Sequence, residues 1–172
     1  MTGFVIYALP VAGGILALAP LPGRSDDYAA DLAHLRDWRP ALVISMTTMA
    51  EMQAEGAGDF GQDVQDMGSR WVHLPVEDFG TPNRDQQEAW QAASRAALAA
   101  LSGGGRVLIH CRGGCGRSGM VALRLMIEAG ETPDAALARL RAVRSCAVET
   151  AAQEAWAQGG EAMVPWTSSR KT

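Results

Sequence analysis

Apolar residues along the chain fall into short β-rich runs separated by longer stretches with an apolar residue at every third or fourth position. That is the pattern of strands interleaved with helices. Residues 4–8 and 15–19 are nearly uncharged runs joined across Gly13-Gly14, and they predict a hairpin. Residues 27–38 place Leu32, Leu35 and Trp38 on one stripe and predict a helix ended by Pro40. A β-rich run at 41–46 predicts a parallel strand. The polar, glycine-broken stretch 48–68 predicts short helices at most, and 70–76 predicts another strand. Thr81-Pro82 offers an N-cap and a first-turn proline for a helix reaching about Leu101, stopped by the glycines at 103–105. Residues 105–110 read as a buried strand and the segment from Ser118 to Glu128 as a helix. Thr132-Pro133 opens a further helix with Leu137, Leu140 and Val143 on one face, and a last helix covers about 150–158. The tail 167–172 is expected to fray.

This alternation predicts an α/β fold with a central, mostly parallel sheet flanked by helices. Neither a repeat nor a linker interrupts it, so residues 1–172 read as one domain whose first element is the hairpin at about 4–19. In such folds ligands bind at the carboxyl ends of the strands.

Composition narrows the function. A hydrophobic fraction of 48% over 172 residues excludes a disordered chain. The net charge is −4 and the pI about 5.3, with no basic stripe, so nucleic acid is not an expected partner. Residues 4–21 lack a basic flank and a cleavage site and are broken by Pro10, Pro20 and Gly13-Gly14, so no membrane association is expected. Three cysteines, an odd number, do not read as a disulfide framework. A reduced thiol fits a cytoplasmic location.

One segment carries chemistry: His110-Cys111-Arg112-Gly113-Gly114-Cys115-Gly116-Arg117-Ser118-Gly119. It lies between a predicted strand and a predicted helix. A glycine-rich loop at a helix N-terminus gathers backbone N–H groups and partial positive charge, and so cradles an anion. Gly113, Gly114, Cys115 and Gly116 would line that cradle, with Arg112 adding charge. A thiol placed there is expected to stand as a thiolate at neutral pH, which makes Cys111 a nucleophile. Arg117 can clamp two phosphate oxygens at once. Ser118 can donate a hydrogen bond to the sulfur. A metal site from His110, Cys111 and Cys115 lacks a fourth ligand and the usual paired spacing. No metal or cofactor is expected.

The His-Cys-x-x-Gly-x-x-Arg-Ser pattern resembles the signature of the cysteine-dependent protein tyrosine and dual-specificity phosphatases. Further segments are similar to the cyclin-dependent-kinase-associated phosphatase subgroup. These are Leu16-Ala17-Leu18-Ala19-Pro20-Leu21-Pro22-Gly23, Asp78-Phe79-Gly80-Thr81-Pro82, and Ala147-Val148-Glu149-Thr150 with Gln153. Arg112 and Ser145-Cys146 depart from the usual pattern, which weakens inferences about substrate rather than chemistry. The resemblance implies a phosphotyrosine phosphatase-like fold and hydrolysis of phosphomonoesters through a phosphocysteine. It also implies a general acid on a mobile loop, where an aspartate stands three residues after a proline. Asp78 matches that place, with Glu77 as the runner-up. Gln153 matches a glutamine that positions the hydrolytic water, although Thr150-x-x-Gln153 is equally a capping box. His110 is expected to order the loop by hydrogen bonding rather than to act as a base.

The implied substrate is a phosphorylated protein, carrying phosphotyrosine or phosphoserine/threonine. The alternatives are a phosphoinositide or small-molecule phosphate, encouraged by Arg112 alone, and a module that binds phosphate groups without turnover. A rhodanese-type sulfur transferase also uses a loop cysteine, but five residues between Cys111 and Arg117 suit phosphate better.

Overall fold

The structure is a computed structural model that describes residues 3–159. The expected fraying at 167–172 lies outside the described residues. Among the described residues five strands form one sheet: β1 (Tyr7–Val11), β2 (Gly14–Ala19), β3 (Leu42–Ser45), β4 (Arg70–His73) and β5 (Arg106–His110). Their spatial order is β1-β2-β5-β3-β4. The β1–β2 pair is antiparallel and the other three pairs are parallel. The helices are α1 (Tyr28–Trp38), α2 (Met49–Ala54), α3 (Phe60–Asp66), α4 (Gln87–Ser102), α5 (Gly116–Glu128), α6 (Pro133–Val143) and α7 (Ala151–Ala157).

Side-chain alternation along the strands builds two cores. Leu16, Leu18, Leu42, Ile44, Val107 and Ile109 face one side, where α4, α5 and α6 supply Trp90, Ala97, Leu101, Val121, Leu125 and Leu140. Ala17, Ala19, Val43 and Leu108 face the other, against Leu35 of α1, Met52 of α2 and Phe60 and Val64 of α3. Strand β5 lies in the middle of the sheet, so the residue after it sits at the carboxyl edge between two parallel neighbours.

Three elements depart most from the sequence expectation. The first strand starts at Tyr7 rather than residue 4 and contains Pro10. Proline is tolerated there because β1 is an edge strand. Strand β4 ends at His73, although its backbone continues alongside β3, with Leu74 N–H donating to Ser45 O (2.9 Å) and Val76 N–H to Met46 O (3.0 Å). The helix expected from Thr81-Pro82 begins later, as a 3-10 turn over Arg84–Gln86 followed by α4. Asn83 and Gln86 cap each other reciprocally, and Gln86 Nε2 donates to Pro75 O at 2.6 Å. That tie leaves Gly80 to Asn83 outside the helix, in the loop that follows β4.

Candidate active site

The loop between β5 and α5 owes its shape to where its carbonyls go. Arg112 O accepts Leu21 N–H (3.1 Å), and Arg144 donates to Gly113 O (2.9 Å) and Gly114 O (3.1 Å). Among the described residues all peptide bonds are trans, so each carbonyl points opposite to the next N–H. Drawing these three carbonyls outward turns the N–H groups of Gly113, Gly114 and Cys115 to the inner side. Gly114 adopts φ +73°, and a Cβ there would stand 2.7 Å from the Ala19 carbonyl carbon. A side chain at this position would force the loop off β2. Gly116 then opens α5.

Cys111 is 3% exposed and its Sγ lies 3.2 Å from Ser118 Oγ. His110 is wholly buried below it. Nδ1 of His110 faces Cys111 O at 3.2 Å, so that nitrogen carries the hydrogen. Nε2 then accepts from Ser45 Oγ (2.6 Å), which itself accepts Trp71 Nε1–H (2.8 Å). Burial first, and then the positive charges of His73 and Arg117, lower the His110 pKa to about 4. A neutral ring fits this one-directional chain of donors, which ends on the peptide of Cys111.

Arg117 is 1% exposed. Its Nη1 and Nη2 grip the Glu51 carboxylate at 2.7 and 2.8 Å, and Nη1 also donates to Val76 O at 2.8 Å. Nη2 lies 3.4 Å from Asp78 Oδ1. Nε is buried and has no hydrogen-bond partner. The guanidinium is therefore held by one edge while its Nε edge stays free for a planar pair of anionic oxygens. Burial opposes the Glu51 charge, but the Arg117 hydrogen bond, the Thr48 backbone N–H and the Arg117 charge override it and lower the pKa to about 2. Sequence reasoning missed Glu51. Its visible signal was Thr48-x-x-Glu51, a capping box that α2 does form, and that motif says nothing of an arginine 66 residues away.

Asp78, Phe79, Cys111, Gly116 and Glu149 line a cavity of about 280 Å³. Asp78 Oδ1 accepts the N–H of Phe79, whose φ is +62° and whose ring is 59% exposed. Glu77 is exposed and does not line this cavity. Gln153 is buried and serves the cap: its Oε1 accepts from Glu149 N–H (2.9 Å) and Thr150 N–H (3.2 Å), and its Nε2 donates to Gly80 O at 3.2 Å. With both acceptor sites of Oε1 occupied, only an Nε2 hydrogen remains for a water. The glutamine thus braces the loop that carries Asp78. The Arg112 side chain points to Glu55 at 3.1 Å, so its charge is partly neutralised.

Cys115 and Cys146 form a disulfide, with Cα atoms 5.2 Å apart. This corrects the expectation that the odd cysteine count meant no disulfide, and it removes that support for a reducing compartment. Cys115 caps the N-terminus of α5 and reaches the α6–α7 connection, not the loop centre, so Cys111 alone is free. Neither other thiol is available to it as a disulfide partner in this state. Among the described residues no helix is long and apolar enough to cross a membrane, and no group of three His, Cys, Asp or Glu side chains is placed to hold a metal ion.

The family model described as the Swiss Army Knife protein, DSP-PTPase phosphatase domain, matches residues 27–157. The chain belongs to this DSP-PTPase phosphatase family. A protein of Invertebrate iridescent virus 3 named as a tyrosine phosphatase is 40% identical over 52 residues, which are 30% of this chain and 22% of that protein. The match therefore spans about a fifth of its viral relative. Among solved structures, kinase associated phosphatase with its catalytic-site cysteine replaced by serine aligns at TM-score 0.79 and 24% identity, covering 92% of this chain and 94% of that one. Tk-PTP in its active form aligns at TM-score 0.60 and 26% identity, covering 80% and 85%. PTPMT1 in complex with PI(5)P aligns at 0.69 and 18%, covering 95% and 99%. The DSP-PTPase architecture expected from the sequence is thus shared along most of the chain.

Proposed function

We propose that this chain hydrolyses phosphomonoesters of proteins, phosphotyrosine first and phosphoserine or phosphothreonine with it, through a phosphocysteine intermediate. The observation that carries the reading is the buried Arg117 with a free Nε edge beside Cys111, on a loop whose N–H groups face inward. Cys111 Sγ attacks phosphorus while the bond to the leaving oxygen breaks. Asp78 gives that oxygen its proton. Arg117 and the N–H groups of Gly113, Gly114 and Cys115 hold the three equatorial oxygens and their charge. Ser118 donates to the departing thiolate in the second step. Water then attacks phosphorus, its proton passes to Asp78, and the S–P bond breaks to give free phosphate and the starting enzyme.

Asp78 within 3.4 Å of Arg117 argues against a module that only binds phosphate groups. The Arg112–Glu55 pair weakens the case for an acidic lipid head group at Arg112.

Phenyl phosphate and a panel of phosphopeptides test the proposal. Cys111→Ser should abolish turnover and still bind phosphate. Asp78→Asn should slow phenyl phosphate by roughly 10²–10⁴ and 4-nitrophenyl phosphate much less, because the better leaving group needs no acid. Turnover of the Cys111→Ser protein near the wild-type rate would overturn the covalent route. The same leaving-group pattern in Glu77→Gln, and not in Asp78→Asn, would move the acid to Glu77.

A further inference from the structure

Two carboxylates line the active-site cavity, and transfer of the phosphoryl group to Cys111 uses only one of them. Asp78 enters from the loop after β4, and Glu149 from the connection between α6 and α7. Glu149 is exposed, and among the described residues its side chain has no hydrogen-bond or ion-pair partner. Its carboxylate lies against the first residue of α5, because a Cβ on Gly116 would strike Glu149 Oε1.

The backbone that presents Glu149 is fixed. Val148 has φ +66°, a left-handed conformation that a β-branched residue rarely takes. Its N–H donates to Cys115 O at 3.3 Å, and Arg141 holds the carbonyls of Ala147 (2.9 Å) and Val148 (3.0 Å). Strain of this kind persists only where the surroundings over-determine it, and it gathers at functional sites. Gln153 then takes Glu149 N–H on Oε1 (2.9 Å) and gives an Nε2 hydrogen to Gly80 O (3.2 Å). One buried glutamine therefore ties the backbone of Glu149 to the loop that carries Asp78. Gln153 itself is wholly buried, and two N–H groups fill its Oε1, so it is poorly placed to hold a water.

We propose that Glu149 orients the water that hydrolyses the phosphocysteine. The inference rests on the phosphatase reading of the Cys111 site. A water between the two carboxylates donates one hydrogen to each and keeps a lone pair for phosphorus. Its oxygen bonds to phosphorus as the S–P bond breaks, and the bonding pair stays on Sγ as the thiolate. The proton on the Asp78 side passes to that carboxylate, and the other hydrogen stays in its bond to Glu149. Arg24, Arg112 and Arg144 line the same cavity and offset the charge of a second carboxylate beside the phosphate.

Rapid-mixing kinetics with 4-nitrophenyl phosphate separate the two steps. The ratio kcat/KM reports attack by Cys111, and kcat reports hydrolysis once that step is slow. In Glu149→Ala kcat should fall roughly 10–100-fold, up to the scale of a misplaced reactant, while kcat/KM does not fall. A burst of 4-nitrophenolate equal to the enzyme concentration should precede the slow phase, and the mass of the rapidly denatured protein should show phosphorylated Cys111. Glu149→Gln keeps an acceptor oxygen and should recover part of kcat. An unchanged kcat in Glu149→Ala, or kcat and kcat/KM falling together without a phosphoenzyme, would overturn the role. A wild type that neither turns over nor forms phosphocysteine would bring down the phosphatase reading itself, and the water role with it.

Discussion

In the proposed reaction Arg117 serves the phosphate in one orientation, and its contacts to Glu51 set that orientation. With Nη1 and Nη2 committed to Glu51 and Val76 O, the free Nε edge has a fixed direction. Glu51→Gln keeps the volume but replaces one acceptor by a donor that faces the guanidinium. The expected loss in kcat/KM is on the order of 100-fold, the scale for a misplaced positioning group. Because Glu51 acts through Arg117 and not on the proton, phenyl and 4-nitrophenyl phosphate should lose equally, unlike in Asp78→Asn. Wild-type rates in Glu51→Gln, or a loss that grows with poorer leaving groups, would refute this role. At this scale the sequence was most legible where the chemistry is contiguous. Cys111, Arg117 and Ser118 stand within eight residues of one another, and a strand and a helix fix their relative places. Asp78 was expected through a resemblance alone; it lines the cavity and Glu77 does not. Glu51 was not legible, because its partner is set by the docking of α2 under the loop and no local pattern encodes that contact.

At the scale of elements, periodicity placed α1, α6 and α7 within a residue or two, and it failed where two starts competed. Thr81-Pro82 is a sound helix signal, yet Asn83 and Gln86 satisfy each other's backbone and Gln86 also reaches Pro75 O. The later start leaves Gly80 outside the helix, where its carbonyl accepts from Gln153. The α6–α7 connection is the other element that the sequence understated. It carries Arg144, Cys146 and Val148, and all three bind the phosphate loop: through its carbonyls, through a disulfide, and through Val148 N–H to Cys115 O at 3.3 Å. Gly119 allows the approach, since a Cβ there would lie 2.6 Å from Val148 N. The disulfide closes a span of 31 residues, for which chain entropy gives about 3–4 kcal/mol of stabilisation. Reduction, or Cys146→Ser, should lower the stability by that order and shift the denaturant midpoint down. Mass mapping after peroxide should show Cys111 oxidised without a crosslink to Cys115 or Cys146. Equal midpoints with and without reductant would show that the bond contributes nothing, and a Cys111 crosslink would show that the pair exchanges.

Taken whole, the molecule hangs its site on the centre of a sheet buried on both faces, and that placement makes acid its weak point. His110 ends the central strand β5 opposite Ala19 of β2 and Ser45 of β3. The fold favours the neutral ring, because burial strips its charge of water and Nε2 can accept from Ser45 while Nδ1–H donates to Cys111 O. Its pKa falls from the ordinary 6.5 to about 4 in the folded state. The unfolded chain therefore binds a proton in that interval and the folded one does not, so stability rises with pH there. The contribution is fully present above about 6.5 and drains away as pH falls to 4, by roughly 3 kcal/mol over the window. Glu51 adds a second, lower window: with its pKa lowered to about 2 from 4.5, its contribution is present above 4.5 and is lost as pH falls towards 2. Urea midpoints at a series of pH values separate the two. The wild type should weaken steadily from pH 6.5 to 4 and again below 4.5. His110→Asn should be flat across the upper window and keep the lower slope, whereas Glu51→Gln should do the reverse. A wild-type midpoint that does not change between pH 6.5 and 4 would mean that the ring is protonated in the fold, with Nε2–H donating to Ser45 Oγ while Trp71 still donates to that oxygen and Nδ1–H to Cys111 O.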